Sequence, residues 1–285
     1  MSEFDPIARR HHYVPRFYLK MWRAPDGKGL WLYSRDKGGV VSAYRRSPKS
    51  VGYETDLYSL KPETPYSALN SRADIIERDF FARIDAAAAL VHQKLLVSGV
   101  KSLTGEDKAV FALFLNSVME RGPRRIEEIE RLDSSEMIRD EIFELLGCPD
   151  FLHGIDWSAI HRNSILRAVV DYISDATFIE YISQMRWATV DIAHDGEHLV
   201  TGDMPILING GSDSEPVHCL SIALSPKRLL IAHGESEEFD KRFIRTLAAI
   251  HNVIIVQQAE RYVISSRELQ DGPHTKYSRV IREYI

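Results

Sequence analysis

The chain has 285 residues, of which 44% are hydrophobic and 27% are charged, and its formal net charge is -5. This is an ordinary globular composition with enough chain to bury a hydrophobic core. Its apolar runs are only a handful of residues long, so we expect no bilayer-spanning segment and no membrane partner. The two cysteines, Cys148 and Cys219, exclude a disulfide framework and a cysteine metal site. No secretory signal is evident, and a cytoplasmic location is therefore expected.

The charge is unevenly distributed along the chain. The first fifty residues contain eleven Lys/Arg and four Asp/Glu, so the excess of acidic residues lies in the remainder. A basic N-terminal portion on an acidic body is compatible with an anionic ligand. An unevenly charged, solvated surface explains the same counts equally well.

The first third of the chain predicts strands. The segments "GLWLYSRD" (Gly29–Asp36) and "VVSAYRR" (Val40–Arg46) are rich in β-branched and aromatic residues, and "DKGG" lies between them. This pattern predicts a β-hairpin. The irregular stretch that follows has turn formers at Ser47-Pro48 and Gly52.

The middle of the chain is predicted to be helical. Apolar residues recur on one helical face from Ile76 to Leu95. "TGED" (Thr104–Asp107) has capping-box spacing and opens the next helix, which Gly122-Pro123 should interrupt or kink. A charged continuation runs to Gly147. A further helix carries one apolar side made of Leu166, Val169, Val170, Ile173 and Thr177.

The last third returns to strands around one helix. Short apolar or alternating segments predict strands at Trp187–Ile192, His198–Asp203, "MPILI", His218–Ser225, "RLLIAHG" and Arg261–Ser266. The helix is predicted near Phe239–Ile255, with an apolar stripe made of Phe243, Leu247, Ile250 and Ile254.

Segregated strands and helices favour an α+β fold over a βαβ repeat. We predict a mixed or antiparallel sheet in which N-terminal strands join C-terminal strands. The long helical middle is then an insertion at about 68–185 within a single domain that spans residues 1–285.

The segment "RRHHYVPRFYLKMW" (Arg9–Trp22) concentrates chemically capable side chains. Pro15 restricts the residue before it to extended geometry and suits the first turn of a helix from Arg16 to Trp22. His11 and His12 then lie on opposite faces of an extended segment, so one is the chemical group and the other a hydrogen-bonding strut. The alternative is that both histidines are structural, with the residues after them as core anchors.

The same segment predicts an anion site. A helix start offers free N–H groups and a partial positive charge, and His12 and Arg16 lie beside it. Such a group binds phosphate or carboxylate. Tyr13 belongs to the same cluster.

Two later motifs add charged candidates. "ERGPRR" places Glu120 and Arg121 at a helix end. Its arginines either clamp phosphate or pair on an exposed face with Glu127, Glu128 and Glu130. "TGDMP" places Asp203 in a turn between extended pieces, as a metal ligand, as the partner of a histidine, or as an acceptor in an Asx-turn.

Glu77 is a further candidate and interrupts an apolar face in "IIERDFF". If its carboxyl is buried, it needs a partner or a proton; the alternative is that it is exposed.

Three of these blocks resemble a large family of bacterial and fungal proteins catalogued as a domain of unknown function. The blocks are "HHYVPRFYLKMW", "ERGPRR" and "VTGDMP", and the similarity covers about His11 to Ser265. The family pattern has Thr at the position of Gly122 and differs at Gly202 and Met204, while His12, Arg121 and Asp203 are retained. The resemblance implies no established activity.

The residues together predict a phosphodiester-cleaving, nuclease-like hydrolase that acts on nucleic acid or a nucleotide. His11, His12 and Asp203 are the catalytic candidates, with His12 as general acid or base and Asp203 orienting the histidine or holding a divalent metal. Arg16 and Arg121 are the phosphate-binding candidates, and Mg²⁺ or Mn²⁺ is the candidate cofactor. A bacterial toxin or antiviral effector would have such an activity.

The alternative is a non-catalytic module that binds a nucleotide or a protein. P-loop, GxGxxG, His-Glu-x-x-His, Cys-x-x-Cys and Gly-x-Ser-x-Gly motifs do not occur, which disfavours P-loop and ordinary zinc hydrolysis. The sequence leaves the oligomeric state open.

Overall fold

The computed structural model describes residues 7–35, 41–64, 72–131, 134–146, 154–192, 198–212, 215–234 and 241–269. Within these ranges strands lie toward both ends of the chain and helices fill the middle, which confirms the predicted α+β class. No helix in the described ranges combines the length and the apolar character needed to cross a membrane.

All strand pairs in the described sheets are antiparallel. The strands are β1 (Arg10–His12), β2 (Leu30–Arg35), β3 (Val41–Arg46), β4 (Tyr53–Thr55), β5 (Arg186–Asp191), β6 (Thr201–Gly202), β7 (Ile206–Ser212), β8 (Glu215–Ser225), β9 (Arg228–His233) and β10 (Val263–Ser265).

The predicted joining of the two chain ends occurs in the sheet β3-β2-β10-β6, where β10 pairs with β2 of the hairpin. The other C-terminal strands form a second sheet, β5-β9-β8-β7, and β1 pairs with β4 in a separate ribbon. Strands that follow one another closely pair with each other, and β7, β8 and β9 therefore form a meander. The predicted turn "DKGG" lies outside the described residues.

Eight α-helices occur in the described ranges: α1 (Arg16–Leu19), α2 (Ala82–Ser98), α3 (Gly105–Glu120), α4 (Pro123–Glu130), α5 (Ser135–Leu146), α6 (Trp157–Ile173), α7 (Ala176–Gln184) and α8 (Lys241–Gln258). A π-helical segment, Ile76–Phe81, runs directly into α2. A 3-10 turn, Lys20–Trp22, continues α1 to the residue at which the predicted helix ends.

Local sequence signals set several helix ends. The predicted capping box is present: Thr104 Oγ1 accepts from the Asp107 N–H (3.1 Å), and Asp107 Oδ2 accepts from the Thr104 N–H (2.9 Å). Pro123 begins α4 after the predicted break behind α3. Asp175 accepts from the Thr177 N–H and starts α7, so Thr177 is not on the same helix as Leu166, contrary to the prediction.

Two predicted apolar patterns need correction. The predicted strand His198–Asp203 is a strand only at Thr201–Gly202. On α8 the buried face contains His251, Asn252 and Ile255, whereas Ile250 from the predicted stripe is 42% exposed. His251 and Asn252 are buried through hydrogen bonds to Ser221 and Val200. Ile254 of the predicted stripe is half-buried, and the side chains of Phe243 and Leu247 lie outside the described part of the structure.

The main core lies between α2, α3 and the sheet β5-β9-β8-β7, and the N-terminal segment packs into it. Tyr18, Leu19 and Trp22 are fully buried there. The hydroxyls of Tyr18 and Thr201 lie 2.7 Å apart, which ties the N-terminal segment to β6. The predicted core anchors therefore hold the start of the chain beside the "TGDMP" turn.

We predict that Gly52→Ala destabilises the protein by about 2–4 kcal/mol, because a β-carbon there meets both strain and a clash. Gly52 has φ +71°, and an added Cβ lies 2.9 Å from the Val14 Cβ. Gly27 has φ +72° with no atom within 4 Å of the added Cβ, so Gly27→Ala is the matched control and should cost only about 1 kcal/mol. Urea unfolding measures both variants, and equal losses would contradict the described packing of Val14 on Gly52.

Candidate functional site

The three sequence blocks meet at one cleft of about 210 Å³. Tyr13 lines it from the first block, the segment Gly122–Arg125 from the second, and Asp203 with Met204 from the third. Residues of the loop before β10, Glu260 and Arg261, close the opposite side. Segments that are far apart in the chain are thus brought to a single concave surface.

Asp203 lies at the end of β6 and is nearly buried, with 9% of its surface exposed. Its Oδ1 accepts from the Glu260 N–H (3.2 Å) and its Oδ2 from the Arg261 N–H (2.7 Å). Burial raises the pKa of Asp203 to about 6, although these two backbone hydrogen bonds act in the opposite direction. The carboxyl therefore fixes the loop before β10 and also titrates near neutral pH.

Two tyrosine hydroxyls form a pair beside this carboxyl. The Tyr13 and Tyr262 hydroxyl oxygens lie 2.8 Å apart. Burial raises the pKa of both groups, so both hydroxyls keep their protons at neutral pH. Of the two, Tyr13 lines the cleft. With the Tyr262 hydroxyl donating to the Tyr13 oxygen, the Tyr13 proton is free for a ligand in the cleft.

Three arginines at the cleft are paired with glutamates. Arg124 contacts Glu260 (2.6 Å) and Glu128 (2.7 Å). Arg125 contacts Glu120 (2.8 Å). Arg261 is paired with Glu54. The "ERGPRR" arginines are thus paired with carboxylates, as in the second alternative, but of the predicted partners only Glu128 is among these contacts. Glu120 and Glu260 are partners that the sequence did not predict.

Arg121 lies behind the cleft rather than on its surface. Its side chain is fully buried, with Nε donating to the Tyr13 carbonyl (3.1 Å) and Nη2 to Asp85 Oδ1 (3.0 Å). The guanidinium carbon lies 5.2 Å from the centroid of the Phe81 ring. A phosphate in the cleft cannot reach this group, so the predicted phosphate-binding role does not fit the position of Arg121.

Behind the cleft lie Arg121, Glu77 and His12, which together we call the buried layer. Glu77 lies in the π-helical segment before α2. Its Oε1 accepts from the His12 N–H (3.4 Å), and its Oε2 is buried with no hydrogen-bond partner among the described residues. Burial raises the pKa of Glu77 to about 7, and the nearby charge of Arg121 opposes this rise. π-Helical turns within α-helices are frequent at functional sites.

His12 completes the buried layer. Its exposed fraction is 8%, and within the part of the chain that the structure describes its Nε2 is buried with no hydrogen-bond partner. Burial, followed by the positive charge of Arg16, lowers the pKa of His12 to about 4. The imidazole is neutral at physiological pH and does not line the cleft that Asp203 lines.

His11 has a different environment from His12. Its Nδ1 accepts from the Tyr58 N–H (2.8 Å), and its Nε2 lies 2.9 Å from the Ala8 carbonyl oxygen, to which it donates in that tautomer. The ring also stacks on Tyr58 with centroids 5.5 Å apart. Both ring nitrogens are occupied, so the predicted catalytic role for His11 has no free nitrogen to act with. This geometry fits the structural, hydrogen-bonding role that was predicted for one of the two histidines.

Arg16 is exposed at the first turn of α1 and forms no ion pair with another described residue. Helix α1 has only four residues, which is too short to supply the macrodipole on which the predicted anion site depended. Arg16 therefore contributes its own charge and not that of a helix end.

Several residues of the site were not among the sequence candidates. Asp85, Tyr262 and Arg261 all contact it. Asp85 had a usable signal, because it is a lone carboxyl within the apolar segment "RIDAAAAL". Tyr262 and Arg261 had none, because their positions follow from the pairing of β10 with β6.

Among the residues that the structure describes, no group of three or more His, Cys, Asp or Glu side chains is placed to hold a metal ion. The expectation of Mg²⁺ or Mn²⁺ therefore has no ligand set within those ranges.

The fold and the site define an α+β protein with a small charged cleft and a buried layer of titratable groups behind it. The chain belongs to the family described as protein of unknown function DUF4238, whose model matches residues 10–268. The family resemblance in the sequence is thereby confirmed. No curated protein and no solved structure matches the chain.

We predict that Glu77→Gln changes how stability depends on pH. The pKa of Glu77 is about 7 in the folded protein against a reference value of 4.5. The unfolded chain ionises first as pH rises, so wild-type stability falls relative to that of Glu77→Gln between pH 4.5 and 7. The relative loss should be roughly 1–3 kcal/mol.

Urea unfolding at pH 4.5, 6 and 7.5 measures this difference. Asp79 is the matched control because it is an exposed neighbour paired with Arg78, which lowers its pKa. Asp79→Asn should give a stability difference from wild type that does not decrease over this pH range. A constant difference between wild type and Glu77→Gln would show that the Glu77 carboxyl is not desolvated.

Proposed function

We propose that the protein is a phosphodiester hydrolase, nuclease-like in its reaction, whose general base is Asp203. The observation that carries this proposal is a carboxyl with a pKa of about 6 in the cleft where the three sequence blocks meet. A general base works best when its pKa lies near the working pH. Each Asp203 oxygen accepts one backbone N–H, so each has a further lone pair available to a water molecule.

The proposed reaction is attack of water on phosphorus. Asp203 accepts a proton from the attacking water, and the new P–O bond forms as the ester bond to the departing alcohol breaks. The departing oxygen takes a proton from solvent, which reaches the open cleft. The hydroxyl proton that the Tyr13–Tyr262 pair leaves free is donated to a phosphoryl oxygen, where negative charge accumulates.

The cleft arginines supply the anion-binding charge. Their present partners are carboxylates at or near the surface, and the Arg124 side chain is 59% exposed. Exposed pairs of this kind contribute only about 0–1 kcal/mol, so a phosphate can replace a glutamate at little cost. The planar guanidinium groups of Arg124, Arg125 and Arg261 can each bind two phosphate oxygens.

The buried layer positions Tyr13. Glu77 accepts from the N–H of His12, and Arg121 donates to the Tyr13 carbonyl, so the backbone is held one residue before Tyr13 and at Tyr13 itself. His12 and Glu77 are positioning residues in this scheme, because neither lines the cleft. Such a layer fixes the hydroxyl against which the phosphate is bound.

The second candidate function is a non-catalytic module that binds a nucleotide or a protein. The paired state of the cleft arginines favours it, because a resting ion-pair network needs no reaction to explain it. Binding without turnover would distinguish this function. A cytoplasmic nuclease acting as a bacterial toxin or antiviral effector would be the biological form of the first proposal.

We predict that Asp203→Asn lowers the rate of phosphodiester cleavage by about 10²–10⁴-fold, since the base is lost. The assay uses single-stranded RNA and DNA oligonucleotides and bis(p-nitrophenyl) phosphate, with Mg²⁺, Mn²⁺ or EDTA. The wild-type rate should fall as pH drops below about 6, where Asp203 becomes protonated. Cleavage by Asp203→Asn at the wild-type rate, or no cleavage of any probe by wild type, would contradict the proposal.

A milder variant provides a second test that remains valid if Asp203→Asn does not fold. Tyr13→Phe removes only a hydroxyl, and we expect it to slow cleavage about tenfold or more because one charge-stabilising donor is lost. Tyr18→Phe is the matched control, because the Tyr18 hydroxyl also has a hydroxyl partner but lies in the core. Melting temperatures report the folding of all three variants.

A further inference from the structure

A second and larger groove continues from the cleft. Its volume is about 570 Å³, within the range of small-molecule sites. Val118, Met119, Arg125 and Met204 line both the groove and the cleft. The groove runs between helices α3 and α7 and strand β7, so a ligand with its phosphate in the cleft extends directly into it.

The groove wall is apolar and aromatic. Tyr172 is 62% exposed there, and Phe178 on α7 and Ile208 on β7 also line the groove. The Arg125 guanidinium carbon lies 5.7 Å from the centroid of the Tyr172 ring, so one arginine contacts the aromatic wall and also borders the cleft. A planar ring that enters the groove finds an aromatic face and a guanidinium plane to stack on.

Polar groups in the groove are oriented by the protein. The Gln258 amide nitrogen donates to the Met204 carbonyl (2.6 Å) and the Ile206 carbonyl (2.8 Å). The Asn116 amide nitrogen donates to two carbonyls at the end of α6, each at 3.0 Å. Both amide oxygens are left out of these bonds and are fixed as acceptors, which suits the N–H edge of a heterocycle.

The two carboxylates of the groove are already engaged. Glu120 is paired with Arg125, and Asp175 accepts from the Thr177 N–H as the cap of α7. Strand β7 is the outermost strand of its described sheet, so part of its backbone is not bonded to another strand.

We propose that this groove binds an unpaired nucleobase whose phosphate lies in the cleft, so that the ligand is a nucleotide unit of a single strand or a free nucleotide. This inference rests on the proposed phosphodiester chemistry for the cleft. A base within a duplex is stacked and paired and cannot enter the groove, so double-stranded nucleic acid should bind poorly.

The test compares a fluorescent single-stranded octamer with an octamer of abasic sugar-phosphates that carries the same charge. Wild-type protein should bind the base-bearing octamer about tenfold or more tightly, as expected from loss of a stacking contact. Tyr172→Ala should abolish this preference. Tyr44→Ala is the matched control, because Arg46 lies 4.5 Å from the Tyr44 ring on β3, at the opposite edge of the sheet from β6. Competition with nucleoside monophosphates distinguishes the two ligands. If a monophosphate binds as tightly as the octamer, the ligand is a free nucleotide; if it binds more weakly, the ligand is a single-stranded polymer.

The outcomes for binding and for cleavage are separable. Base-dependent binding that Tyr172→Ala abolishes supports the groove even if wild type cleaves nothing, in which case only the hydrolase proposal fails. Equal binding of both octamers, an unchanged preference in Tyr172→Ala, or no binding of either octamer would overturn the groove proposal. If the protein cleaves a substrate but binds both octamers equally, the hydrolase proposal is supported and the groove proposal fails.

Discussion

The rest of the site depends on the hydrogen bonds and the ion pair made by the buried guanidinium of Arg121. It lies fully inside the protein, and it connects the Tyr13 carbonyl to Asp85 on α2. The Arg121 carbonyl also accepts from the Tyr58 hydroxyl (2.6 Å). A buried cation is costly unless it is paired and hydrogen-bonded, so this residue fixes the first and second sequence blocks against each other.

The site has two layers with different protonation behaviour. In the buried layer the pKa of Glu77 is about 7 and that of His12 is about 4. Between these two values the Glu77 carboxyl is protonated and the His12 imidazole is neutral. In the cleft the pKa of Asp203 is about 6. Tyr13 joins the layers, because its backbone contacts Arg121 and its ring lines the cleft. Groups pushed away from their ordinary pKa values mark candidate acid–base sites.

Much of the fold followed from local sequence patterns, whereas the site followed only in part. The hairpin and the Thr104 cap are encoded by neighbouring residues, and the structure has both. On α8 the exposed position of Ile250 was not predicted, because a periodicity argument treats the buried His251 beside it as a surface residue. Asp203 was found through its motif, but its partners depend on the pairing of β10 with β6, which is a long-range property. The position of Arg121 behind Tyr13 could not be deduced, because charge patterns favour the surface for arginines.

The most direct test of this account is a double-mutant cycle between Arg121 and Asp85, read by urea unfolding of the full chain. Arg121→Met leaves the Asp85 carboxyl without its partner, and Asp85→Asn leaves the guanidinium without its counter-charge. Each single change should cost about 3–5 kcal/mol, and the double change should cost less than their sum by about 1–3 kcal/mol. Additive losses would contradict the account, because they would mean that the guanidinium does not hold α2 and the Tyr13 segment together.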